Sequence, residues 1–351
     1  MTFALLLGYA FIHTKLTGVY VDTSLADMVN FSARLPFGQR MLVPAMVNFI
    51  GYFLPLSVDN LFFLMEWLFI SLFYFTLVKL LEYEFEPRQA QLLSWLCILL
   101  MPLVTVINYR FTSGGNATFF YPCDTASLFF MAMGFLLCLR EKWIYFIPWV
   151  FLATFNRESS ILLVLLIPAL HWQKFRSVMG PLLLAILAYC IARGLILTIT
   201  HGLPGAIMEW YFRASQHTYY ETNLVWLLND LHILLFLICF AGLPVFWFAF
   251  YDFIPLRYRP LRYIALFYFV GLLLLGNLME ARLFHEILVI FYLPVCVALR
   301  RWLTKLEPYS PASAGVLYYI NRYAVLGVLT MLVLFRQPLD VWVIWLSRHL
   351  A

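Results

Sequence analysis

A small set of arginines and carboxylates interrupts an otherwise apolar chain, and their types suit an anionic ligand and a proton. The most informative is Asn156-Arg157-Glu158-Ser159, set between two very apolar pieces. Asn156 or Ser159 can cap the following helix, and Glu158 in its first turn suits the dipole. Arg157 stands at the wrong helix end for that role, and its fixed fork of N–H donors suits a phosphate or carboxylate. A second cluster reads Glu280-Ala281-Arg282-Leu283-Phe284-His285-Glu286. Glu280 and Arg282 either pair with each other or leave Arg282 for an anion, with Glu286 positioning it at i+4. His285 is either a packing residue or a group titrating near neutrality.

The early part of the chain adds Asp22 and Asp27, then Arg34 and Arg40. Asp22 follows the first apolar stretch. Asp27 is about one turn into a short helix capped by Thr23 or Ser24, and either carboxylate can take a proton from a hydroxyl acceptor or merely cap and solvate. Arg40, just before an apolar segment, is a snorkelling anchor or a phosphate ligand. Asp124 follows Phe119-Phe120-Tyr121-Pro122-Cys123 and is expected to be an N-cap. The aromatic stretch around Trp210, Tyr211, Phe212, Tyr219 and Tyr220 either anchors at an interface or covers a site. Glu66 and Arg193 lie inside apolar runs and require partners that the sequence does not name.

The elements carrying these residues are membrane helices. Of 351 residues, 64% are hydrophobic, 19% aromatic and 12% charged, with mean hydropathy +0.87; soluble domains carry about 25% charged residues. This excludes a soluble enzyme and a disordered regulator. Continuous apolar runs without alternation exclude a β-barrel. The formal charge of +5 reports orientation rather than nucleic-acid binding. The cysteines (Cys97, Cys123, Cys138, Cys190, Cys239, Cys296) are dispersed and make no metal or disulfide pattern. The first apolar stretch has no basic segment before it, so no cleavable signal is expected.

Expected spans are Leu61–Leu81, Gln89–Ile107, Asp124–Leu139, Val178–Thr198, Leu231–Phe250, Tyr263–Leu278, Glu286–Leu299 and Ala324–Phe335. The shorter Trp143–Phe155 and Ser159–Trp172 flank the Arg157 tip, and a short first helix runs from Thr2 to about His13. Together they predict an all-α polytopic bundle of roughly 10–12 transmembrane helices in one domain. Met41–Leu54 is expected to be re-entrant or interfacial. With the basic clusters at Arg140–Lys142, Lys174–Arg176, Arg257–Arg262 and Arg300–Lys305 placed in the cytoplasm, the Arg157 and Glu280–Glu286 tips are external hairpin ends. Asp22, Asp27, Arg34, Arg40, Arg110, Asp124, Glu209, Arg213 and His217 share that face.

Taken in order, Arg40-Met41-Leu42-Val43-Pro44, Asp124 behind a proline, Arg157-Glu158-Ser159 and Glu280-x-Arg282-x-Phe284-x-Glu286 resemble bacterial polytopic membrane proteins related to the GT-C glycosyltransferases. The resemblance extends from Asp22 to Pro294. It implies an enzyme of the bacterial inner membrane using a polyprenyl-phosphate-linked sugar and a glycan, lipid or protein acceptor at the periplasmic side. It also implies juxtamembrane helices after the first loop. Asp22 or Asp27 would be the base, and Arg40, Arg157 and Arg282 would hold the lipid phosphate. Glu158, Asp124, Glu280, His285 and Glu286 would support them. The first loop departs from the family in lacking an adjacent acidic pair. No ligand spacing demands a metal, and a divalent ion is compatible. The alternatives are a polysaccharide polymerase or ligase, and a transporter or flippase for an anionic lipid-linked substrate. The broken helices suit a transporter, whereas the absence of an internal repeat does not.

Overall fold

The computed structural model describes residues 1–18, 23–108, 118–207, 218–227 and 242–309, with individual residues between 315 and 345. Asp22, Arg110, Glu209, Arg213 and His217 lie outside the described residues, as does most of the expected Leu231–Phe250 and Ala324–Phe335 spans. The described elements are helical. They comprise α1 Thr2–Lys15, α2 Leu25–Val29, α3 Leu42–Gly51, α4 Val58–Leu81, α5 Pro87–Pro102, α6 Cys123–Leu139, α7 Trp143–Asn156, α8 Ile161–Leu170, α9 Met179–Ile199, α10 Tyr219–Leu227, α11 Leu243–Ala249, α12 Leu261–Leu275 and α13 His285–Leu303. A π-helical turn, Leu103–Asn108, extends α5.

Among the described residues, five helical stretches are long and apolar enough to cross a membrane: Val58–Leu81, Pro87–Ile107, Trp172–Ile199, Leu256–Leu275 and Ala281–Leu303. That marks the chain as an integral membrane protein. The outward face of α9 agrees, because Leu183, Leu184, Leu187, Ile191 and Leu195 are all exposed, a surface that water would not tolerate.

Two helices form the centre. α6 is apolar on every side and packs against α4, α7, α8 and α13, as a helix without a polar face must. α13 is buried almost continuously from His285 to Ala298. With 19 residues it is about 28 Å long, so its first turn and its last lie at opposite ends of the bundle. Arg300 near the last turn donates to the Glu84 carbonyl, and Arg257 pairs with the Glu84 carboxylate. His285 and Glu286 occupy the first turn, at the far end from Arg300.

Among the described residues, several helices are too short to cross. α3 has 10 residues, α7 has 14 and α8 has 10, giving about 15–21 Å against a hydrocarbon core of about 30 Å. The α7–α8 turn is therefore recessed relative to its longer neighbours. α3 packs on α4, α6 and α7.

The α6–α8 contact depends on Gly134, where a Cβ would stand 2.4 Å from the Leu163 Cδ2 with Leu163 itself fully enclosed. Gly134→Val is expected to destabilise the detergent-solubilised protein by about 1–3 kcal/mol through overpacking. Gly194→Ala, with open space around it, should melt with the wild type in the same thermal denaturation assay.

Candidate functional site

The site is assembled at the first turns of α6 and α13. Asp124 sits in the first turn of α6, 1% exposed. It does not cap the helix as expected. Its Oδ1 accepts from the Arg157 Nη1 at 3.2 Å and its Oδ2 from the Arg282 Nη1 at 2.7 Å. Two desolvated guanidinium groups outcompete the backbone for that carboxylate, because an unpaired buried charge costs several kcal/mol.

Each arginine comes from a break between helices. α7 stops at Arg157, whose backbone is extended (φ −162, ψ 145), and a 3-10 turn Glu158–Ser160 leads into α8. Neither Asn156 nor Ser159 caps α8. Instead the Asn156 Nδ2 donates to the Cys123 carbonyl at 3.1 Å and the Ser127 Oγ at 2.9 Å, clamping the turn onto α6. Ser159 donates to the Glu286 Oε1 at 2.6 Å. Arg282 lies in the 3-10 turn Ala281–Phe284 before α13 and pairs with Glu280 as well as Asp124. Its guanidinium is 3.7 Å from the centre of the Tyr121 ring, a cation–π contact in a desolvated setting. Glu286 does not position Arg282 at i+4; it lies 3.5 Å from the Arg157 Nη1, because the Asp124 carboxylate takes Arg282.

The cluster continues outward. Arg40 pairs with the Glu158 Oε1 at 2.8 Å, their side chains 12% and 40% exposed respectively. Among the described residues, the Arg40 Nε has no hydrogen-bond partner. Phe37 stacks on Tyr121 at 5.6 Å, and Arg40 and Arg34 each lie 5.5 Å from the Phe37 ring centre. An aromatic pair thus separates Arg282 from the outer arginines. Beside it, Arg193 donates to the Gln39 Oε1 at 3.0 Å, the partner its apolar surroundings required.

The first loop behaves differently. Asp27 is exposed and closes a capping box with Ser24, whose Oγ and backbone N–H donate to it at 2.6 and 3.1 Å. Those donors hold its carboxyl below the usual carboxylate range, which weakens it as a base. Asp22 lies outside the described residues. His285 is fully buried, and neither ring nitrogen has a hydrogen-bond partner among the described residues.

A neighbouring polar group was not anticipated as a unit. The His13 Nδ1 donates to the Glu66 Oε1 at 2.8 Å, and Thr125 donates to the same oxygen. This joins α1, α4 and α6 one residue from Asp124. The only sequence signal was an isolated His and Glu in apolar helices, 53 positions apart. Among the described residues, no group of three or more His, Cys, Asp or Glu is placed to hold a metal ion.

No family model matches the chain, and no curated protein or solved structure gives a significant match to it.

Asp124→Asn removes the shared counter-charge of both arginines. It is expected to cost about 3–5 kcal/mol, read as a lowered melting temperature. A double-mutant cycle with Arg282→Met should return a coupling well above the ~0.3–0.5 kcal/mol scatter of independent sites.

Proposed function

We propose that the chain is a glycosyltransferase of the bacterial inner membrane. It would move a sugar from a polyprenyl-phosphate-linked donor to a glycan, lipid or protein acceptor at the periplasmic face. The observation that carries this reading is the meeting of Arg40, Arg157 and Arg282, from distant parts of the chain, around Asp124 and Glu158 at one end of the bundle. Guanidinium groups fixed in this way can offset charge that develops on a departing phosphate.

Arg40 is the entry point. It is the cation of the three with the most exposed partner, and among the described residues its Nε has no hydrogen-bond partner. A donor phosphate displaces Glu158, which has water to turn into, whereas Asp124 has none. One short helix, α3, follows the first loop, at the position where the GT-C resemblance expects a juxtamembrane helix. An apolar groove of about 650 Å³ runs along α13 from Leu288 to Thr304 and is lined also by Leu92, Leu96 and Val104; it suits an isoprenoid chain.

The acceptor hydroxyl would lose its proton to a first-loop carboxylate. Asp22 is the better candidate, because Asp27 is turned to Ser24. A transporter of the same lipid-linked anion would use the same arginines but would not break the sugar–phosphate bond.

The test uses the full chain in nanodiscs with radiolabelled polyprenyl-phosphate hexoses and pentoses and a lipid and glycan extract as acceptor. Label should move to the acceptor, and Arg40→Ala should slow transfer by about 10²–10³-fold, the cost of removing one well-placed donor. Folded wild-type protein that transfers no sugar, or Arg40→Ala protein working at the wild-type rate, refutes the reading.

A further inference from the structure

Arg193 is the only charged residue of α9. Arg40, Arg157 and Arg282 each meet a carboxylate. Arg193 meets none among the described residues, and its hydrogen bond goes to the Gln39 side-chain carbonyl at 3.0 Å. That amide satisfies one N–H but supplies no charge. The other two guanidinium nitrogens are not enclosed, so they face what surrounds the helix. A charge at membrane depth costs about 2.5–3.5 kcal/mol on the insertion scale, and this one has no counter-charge from the protein.

The surroundings of α9 say what can supply it. Ile191 and Leu195 on either side are exposed, and Leu187, Leu184 and Leu183 continue that face toward the start of the helix. This flank faces lipid. α7 and α9 begin at the same end, where Lys174 meets Glu141, and pack side by side. Arg193 stands about 21 Å along α9 from Met179, the same rise that the 14-residue α7 makes. α9 then continues about 9 Å further, to Ile199.

The α7–α8 turn and Arg193 therefore share one depth. Tyr189, one turn away on α9, donates to the Glu158 carbonyl at 3.1 Å. The Glu158 side chain is 40% exposed, which hydrocarbon does not tolerate, so water or headgroups reach that depth. Arg193 does not snorkel freely to the nearer surface. Its Cα–Cβ bond leans toward the helix start, and the buried Gln39 fastens its guanidinium.

We infer that Arg193 is a binding site for an anionic phospholipid of the leaflet at the Asp124 end. The phosphodiester takes the open side of the guanidinium fork, whose geometry suits it. The acyl chains lie along Ile191, Leu187 and Leu184. A net negative headgroup is selected, because a zwitterionic one brings its own cation to the same spot. Gln39 precedes Arg40 in the chain, so the lipid bears on the turn that presents Arg40. The site lies outside the Asp124 cluster and does not rest on the transferase reading.

The test places a fluorophore on Cys190, an exposed thiol near Arg193 on α9, in the full-length Cys239→Ser chain reconstituted in bilayers. Quenching by nitroxide-labelled phosphatidylglycerol is compared with quenching by nitroxide-labelled phosphatidylcholine. The anionic lipid is expected to bind about five-fold better, equivalent to about 1 kcal/mol for one arginine near the membrane surface. That preference should vanish in Arg193→Gln, which keeps a donor for Gln39. It should persist in Arg176→Gln, altered before the start of α9, and in added inorganic phosphate at constant ionic strength, since a free ion brings no chains. Equal quenching by the two lipids in the parent chain overturns the inference. So does a preference that survives in Arg193→Gln, is lost equally in Arg176→Gln, or is abolished by free phosphate. An Arg193→Gln protein that melts as low as Asp124→Asn also overturns it, because Arg193 would then be held by protein instead of lipid.

Discussion

Burying Arg157 and Arg282 inside an apolar bundle is the constraint around which the rest is arranged. Neither guanidinium can lose its charge, and water does not reach them, so each must bring a carboxylate with it. A single carboxylate, Asp124, meets that need for both. Three breaks in the chain are thereby held together: the start of α6, the α7–α8 turn and the α12–α13 turn. The pairs contribute little as attraction alone, since desolvation offsets most of it. Their force lies in what separation would cost, and that fixes which helix ends stay adjacent.

Helix length works with this electrostatic tie. α7 and α8 are too short to reach across the bilayer, so the turn between them is drawn inward to the level of Asp124. Asn156 fastens that turn to α6 through the Cys123 carbonyl and Ser127. α13 connects the two ends. Its first turn brings Glu286 to Ser159, and near its last turn Arg300 binds Glu84. The Glu84 end is more exposed, with Arg257 partly solvated, and surface pairs of that kind contribute about 0–1 kcal/mol. The same residue types thus have very different consequences at the two ends, because only one end is dry.

A second buried group, His13, Glu66 and Thr125, extends the polar core from α6 to α1 and α4. It answers the same rule: a carboxylate in a lipid-depth helix recruits donors wherever the fold brings them. Through neighbouring Thr125 and Asp124, the N-terminal helix becomes mechanically linked to the cluster without contributing a charge to it.

The membrane class, most helix positions and the grouping of charged residues at shared ends were legible in the sequence. Hydrophobic run length is a local property, and the cost of charge in lipid confines arginines and carboxylates to breaks between runs. A short helix around Asp27, capped by Thr23 or Ser24, was legible too, because capping acts within a few residues; the structure selects Ser24. Pairing was not. Asp124 reads locally as a helix cap and Glu286 as an i+4 partner of Arg282, yet both are claimed by groups from elsewhere in the chain. Only the packed bundle decides which guanidinium reaches which carboxylate, since desolvation becomes costly enough to override local hydrogen bonding only after the helices exclude water.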